Sequence, residues 1–162
     1  MGKLMNITGG VGLGVMLSQF PEYSQQYVQR LGGAVDELQT VVSDFDSSAQ
    51  ATGNTREVAL SGMASGDDFL RRRGEDMGRT ISRYTYLNES YGLLKDAGAY
   101  ERLAYVRRLG DPQITKNAFA DFQPAIPLSI DALVLLFGGY IFGYGAISGT
   151  GRVVRRRKKQ HA

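Results

Sequence analysis

The chain contains no cysteine and no tryptophan, and of its 162 residues only His161 is histidine. Without thiols there is no disulfide, no iron–sulfur ligation and no cysteine nucleophile. A lone histidine one residue from the end leaves a histidine-based triad or a histidine metal cluster without a credible member. Charge is also missing where a soluble domain would carry it. Leu4 to Pro21 holds no charged residue, and neither does Ala132 to Gly151. A helix of roughly 20 residues crosses ~30 Å of hydrocarbon, so both ends are long enough to be spans. An ordinary soluble domain is therefore not expected.

The charge that is present is unevenly placed. The 19 Lys and Arg exceed the 16 Asp and Glu by three. The excess comes from a terminal cluster of Arg152, Arg155, Arg156, Arg157, Lys158 and Lys159, while the segment between Pro21 and Ala125 is net acidic. Nucleic-acid binding wants cations spread over a folded face, so it is not expected here. A cationic tail beside an apolar run marks the cytoplasmic side of a span. It also attracts anionic lipid headgroups, the expected ligand of these six cations.

These features predict an all-α membrane protein. Residues 1–20 form a first transmembrane helix, 21–125 a helical domain on the far side of the membrane, 126–151 a second transmembrane helix and 152–162 a basic cytoplasmic tail. Both termini then lie in the cytoplasm and the middle segment outside it. The first run ends in Ser18-Gln19-Phe20-Pro21 without the small-residue pattern of a cleavage site, so a retained span is expected. Glycines recur four apart at Gly10 and Gly14, Gly139 and Gly143, and Gly145 and Gly149. Small residues let helix backbones approach in lipid, and these six are the expected helix-packing positions. Whether they meet the other span or a second copy is open at this point.

Between the spans the apolar positions Tyr27, Leu31, Val35, Leu38, Val42, Phe45 and Ala49 step by three or four, close to a coiled-coil seam. Leu31, Val35, Leu38, Val42 and Phe45 are its expected buried face. A turn is predicted over 51–54, then a helix over 55–64 with Asn54 and Glu57 at capping-box spacing. Asp67 announces a helix to about Lys95 whose stripe of Met77, Ile81, Tyr84, Leu87, Tyr91 and Leu94 is the antiparallel partner of the first. Short helices follow over 100–109 and, with Asp111 as N-cap and Pro112 in the first turn, over 112–122. No strand or internal repeat is evident.

Chemistry-bearing motifs are few. Gly9-Gly10-Val11-Gly12-Leu13-Gly14 has the look of a dinucleotide loop but lacks the strand that must precede it. Arg71-Arg72-Arg73 is flanked within helical reach by Asp67, Asp68, Glu75 and Asp76, which reads as a solvated face. Asp131 lies at the edge of the second span and suits capping or a neighbouring hydrogen bond. No catalytic residue, metal set or cofactor is expected, and an enzyme is the least favoured reading.

Ser18-Gln19-Phe20-Pro21-Glu22-Tyr23-Ser24-Gln25-Gln26-Tyr27, followed by Arg30-Leu31-Gly32-Gly33-Ala34-Val35-Asp36-Glu37-Leu38, resembles the leading signature of a family of small proteobacterial membrane proteins known as a domain of unknown function. Ala120-Asp121-Phe122-Gln123-Pro124-Ala125-Ile126-Pro127 resembles its second signature. The resemblance covers nearly the whole chain. It implies a Gram-negative inner-membrane protein with two spans and a periplasmic helical segment, and it supplies no activity, cofactor or catalytic residue. The expected function is a non-enzymatic scaffold, a homo-oligomer held by its glycine-lined spans and outer helices. The alternative is an accessory subunit of a larger respiratory or photosynthetic membrane complex.

Overall fold

The computed structural model describes the backbone of residues 2–122 and 129–160, and the side chains of residues 3–122 and 129–149. The described chain is helical: α1 (Gly2–Ser18), α2 (Phe20–Ala51), α3 (Arg56–Ala64), α4 (Asp68–Leu94), α5 (Ala99–Ala104), a 3-10 turn (Val106–Leu109), α6 (Pro112–Ala120) and α7 (Ile130–Gln160). Among the described residues there is no strand. The second signature from Gln123 to Pro127, and the expected start of the second span at 126–128, lie outside the described residues. So do the side chains of Arg152, Arg155, Arg156, Arg157, Lys158 and Lys159. Their backbone continues α7, so the second apolar helix runs on through the basic segment to Gln160 instead of ending near Gly151.

Local chemistry explains most boundaries. Pro21 has no N–H, so the carbonyl of Leu17 loses its partner four residues on, and α1 stops one turn earlier at Ser18. At the end of α2, the Gly53 N–H donates to the Gln50 carbonyl and the Asn54 N–H to the Ala49 carbonyl. This double bond pattern needs a left-handed residue, and Gly53 supplies it at φ 72°. The N-cap of α3 is Thr55, whose hydroxyl accepts from the Val58 N–H, so the helix begins one residue later than the Asn54 reading expected. Asp67 caps α4 by accepting from the Leu70 N–H at 2.8 Å. Asp111 accepts from the N–H groups of Gln113 and Ile114 and so caps α6 as expected.

The chain divides into two compact units. One comprises Met1–Gln26, Gly98–Ala104 and Ala118–Ala162; the other comprises Tyr27–Ala97 and Tyr105–Asn117. The first is built on α1 lying against α7. Asn6 near the start of α1 donates to Ser148 far along α7, and Gly14 near the end of α1 meets Leu136, so the two helices run antiparallel. In the second, Gly32 of α2 faces the Tyr91 ring near the end of α4, while Leu38 and Val41 share a groove with Arg83 from earlier in α4. That progression makes α2 and α4 antiparallel as well. α3 folds back on α4, with Gly74 against Met63. The core of this unit contains Tyr27, Leu31, Val35, Val42, Leu87, Leu94, Leu109 and Ile114.

Candidate functional site

With no catalytic constellation expected, the sites to examine are the packing faces. The structure sorts the six glycines of the apolar helices into two groups. A methyl group added to Gly14 would lie 2.5 Å from the carbonyl oxygen of Leu136, and one added to Gly10 would lie 2.8 Å from that of Tyr140. From the other side, Gly139 approaches the Cα of Gly14, and Gly143 approaches the carbonyl oxygen of Gly9 and the Cα of Gly10. These four glycines therefore pack α1 and α7 of one chain against each other. Gly145 and Gly149 have nothing within 4 Å of an added methyl group, so within the chain they are not packing positions. The reason is angular: at 3.6 residues per turn, Gly145 falls well off the Gly139–Gly143 line, as does Gly149. Asn6 donates to Ser148 at 2.6 Å, pairing two polar side chains between the helices.

The outer-helix seam is satisfied largely within its own unit. Leu31, Val35 and Val42 are buried, as are Leu87, Ser90 and Leu94 of α4. Gly32 lets the Tyr91 ring come against the α2 backbone, whereas Gly33 faces open space. Leu38 and Phe45 are only half-buried, which corrects their assignment to the buried face. Leu38 instead lines a groove of about 440 Å³, with Arg30, Glu37, Val41, Arg83 and Ile114 among its other walls. The consequence is testable by substitution. Leu31→Asp puts an unpaired carboxylate into a fully buried position and is expected to cost about 4 kcal/mol or more. Leu38→Asp keeps its carboxylate hydrated in the groove and is expected to cost only about 1 kcal/mol. Thermal melts of the full-length variants by circular dichroism check the difference.

One polar cluster has no counterpart in the sequence reading. Tyr27, taken there as a seam residue, is fully buried, and its hydroxyl accepts from the Asp111 N–H at 3.1 Å while donating to the Arg108 carbonyl at 3.4 Å. The Asp111 carboxylate, besides capping α6, accepts from Arg83 at 3.1 Å. Arg108 lies over the Tyr86 ring and within 3.9 Å of Glu89. The only sequence signal was Asp111 as a cap; its partners lie 28 and 84 residues away.

The remaining polar groups are local. A bidentate Arg56–Asp46 pair ties the end of α2 to the start of α3, and the guanidinium's hydrogen bonds hold the Asp46 carboxyl below its usual pKa. Arg71 bridges to Asp68 and Glu75 on its own helix, and Arg79 to Asp76. These exposed pairs agree with a solvated face and stabilise little. Asp131 stands in the first turn of α7, whose N-cap is Ser129: the Ser129 hydroxyl accepts from the Ala132 N–H. Partial desolvation, then the Asp131 charge, raise the Tyr100 hydroxyl pKa. Among the described residues no group of His, Cys, Asp or Glu is arranged to hold a metal ion.

Among the described residues one helix meets the length and apolarity of a membrane span on its own, over Ile130–Gly149 with a mean hydropathy of 1.7. α1, with 17 residues, covers only ~26 Å at ~1.5 Å per residue. No curated protein matches the chain, and no solved structure matches it. A family match does extend over residues 1–160, and the chain belongs to the family described as "Protein of unknown function (DUF2937)".

Proposed function

We propose that the chain is a non-enzymatic inner-membrane scaffold in which α1 and α7 cross the bilayer as a pair, both termini lie in the cytoplasm, and the intervening helices stand in the periplasm. The observation that carries this reading is the character of the α1/α7 pair. Its inner face is glycine backbone against glycine backbone, and a side-chain hydrogen bond joins Asn6 to Ser148. Its outer face is apolar on both helices: Leu4, Met5, Val11, Val15 and Met16 on α1, and Val134, Phe137, Ile141 and Phe142 on α7, are all exposed. Water penalises that arrangement, whereas lipid accepts it and rewards the close backbone packing. A short helix such as α1 spans with local thinning of the bilayer, at a modest cost.

Self-association then uses what the fold leaves over. Gly10, Gly14, Gly139 and Gly143 are consumed within the chain, so copies meet through the α7 face that carries Gly145 and Gly149. The basic tail, Arg152 to Lys159, holds anionic headgroups on the cytoplasmic side. Gentle detergent extraction followed by native mass spectrometry tests the assembly. The parent is expected as a homo-oligomer with bound anionic lipid, and Gly145→Leu with Gly149→Leu as a monomer. A monomeric parent refutes self-association.

One observation favours a second reading. The seam residues Leu31, Val35 and Val42 of α2 are buried within their own unit, so the outer helices offer a second copy less apolar surface than the sequence suggested. The exposed groove beside Leu38 and Val41 then suits a different protein, and the chain is an accessory subunit of a larger membrane complex. A hetero-complex in the same spectrum selects this reading over the first.

A further inference from the structure

The short helix α5 is inside out. Arg102 is 7% exposed, and its guanidinium donates to the Gln25 side chain at 2.7 Å. Tyr100 and Leu103, three apart and so on one face, are 45% and 40% exposed. A helix beside water places these residues the other way round. The same compact unit holds more apolar surface of this kind. Tyr23 packs on Phe119 at 4.8 Å between ring centroids and edge-on to Phe122 at 6.0 Å, yet Phe119 remains largely exposed. Ile130, the first residue of α7, is exposed too. Gln25, which holds Arg102, lies seven residues beyond the end of α1, and the end of α1 lies beside the start of α7, with Gly14 against Leu136, so α5 sits at the end of the pair where the apolar run of α7 begins.

We propose that Tyr100, Leu103, Phe119 and Ile130 form a collar that rests in the interfacial layer of the outer leaflet, with α5 lying in the membrane surface. The reading rests on the two-span arrangement proposed above. The occupant of the collar is the phospholipid interface, the glycerol and upper acyl region. The collar is continuous with the start of α7's apolar surface, and rings such as Tyr100 and Phe119 suit that depth by having an apolar body near a polar boundary. Arg102 turns inward because its charge is held by protein, which leaves Tyr100, Leu103 and Ala104 outward, with Glu101 as the exposed charge of the helix.

The chain has no native tryptophan, so single tryptophans report depth without background. Leu103→Trp, Phe119→Trp, Val11→Trp, Ile141→Trp and Val58→Trp are each introduced into the full chain. Each is reconstituted in phosphatidylcholine vesicles whose acyl chains are brominated either near the carbonyl or near the terminal methyl. The collar predicts blue-shifted emission from Leu103→Trp and Phe119→Trp, lost mainly to bromines near the carbonyl. Val11→Trp and Ile141→Trp, within the spans, lose emission mainly to the deeper bromines, and Val58→Trp on α3 keeps its emission. Unquenched Leu103→Trp and Phe119→Trp beside quenched Val11→Trp and Ile141→Trp overturn the collar and leave the spans standing. Unquenched Val11→Trp beside quenched Ile141→Trp overturns the two-span arrangement itself. Quenching of Val58→Trp equal to that of Leu103→Trp overturns a surface confined to the collar.

Discussion

Gly14→Ala destabilises the α1/α7 pair by about 1–3 kcal/mol, while Gly12→Ala, half a turn away on the same helix, leaves it intact. The contrast follows from what each new methyl group meets. At Gly14 it would lie 2.5 Å from the carbonyl oxygen of Leu136 and 3.2 Å from the backbone nitrogen of Tyr140. Backbone cannot rotate aside as the end of a long side chain can, so the helices must separate. Separation costs the contacts of Gly139 and Gly143 as well, since both close against the same stretch of α1. At Gly12 an added methyl group touches nothing. Helix content does not report this change, because each helix keeps its backbone hydrogen bonds in lipid whether or not it is paired. An inter-helix reading is needed, and the absence of native cysteine provides one. Asn6→Cys with Ser148→Cys replaces two side chains that are hydrogen-bonded in the parent. Oxidative cross-linking of this pair is expected to slow markedly when Gly14→Ala is added and to be unchanged by Gly12→Ala. Equal rates would mean that α1 and α7 do not pack at Gly14.

The glycines also show what could be read from the chain and what could not. Spacing of four marked Gly10, Gly14, Gly139, Gly143, Gly145 and Gly149 alike, yet the first four meet the other helix within the chain and Gly145 and Gly149 do not. Which face a glycine lies on follows from its phase relative to the partner helix, and phase is not a property of one segment. The seam behaved similarly. Its rhythm placed Leu31, Val35 and Val42 inward. Leu38 and Phe45 share that rhythm but are only half-buried, Leu38 because it lines the groove beside Val41 and Arg83 rather than meeting a packed side-chain layer. Caps were legible where one side chain decides them, as at Asp67 and Asp111. They were misplaced by one residue where two good candidates adjoin, as at Asn54 and Thr55. The Tyr27 cluster was hidden for a different reason. A tyrosine on an apolar stripe looks like core, and nothing local discloses a hydroxyl partner 84 residues away.

That cluster carries the second large effect. Tyr27→Phe is expected to cost about 1–3 kcal/mol although it removes one oxygen and no packing. The lost hydroxyl is the acceptor for the buried Asp111 N–H and a donor to the Arg108 carbonyl. Tyr27 is fully buried, so water does not replace the hydroxyl without opening the unit. Asp111→Ala acts on the same residue from its side chain. It removes the acceptor for the Gln113 and Ile114 N–H groups, a cap worth about 1 kcal/mol, and it strips Arg83 of its carboxylate. The second loss is discounted, because the Arg83 side chain is 37% exposed and rehydrates. Asp111→Asn retains a good capping oxygen and discards the charge, so it falls between the parent and Asp111→Ala. Amide exchange in the full-length protein separates these contributions. If the affected amides exchange through opening of the cluster, each ~1.4 kcal/mol lost from it speeds exchange about tenfold. Asp111→Ala is expected to accelerate Gln113 and Ile114 most. Tyr27→Phe is expected to accelerate the Asp111 amide most, because that amide loses its direct partner. Parent-like exchange at Asp111 in the Tyr27→Phe variant would show that the hydroxyl does not hold α6 in place, and the buried tyrosine would then be packing alone.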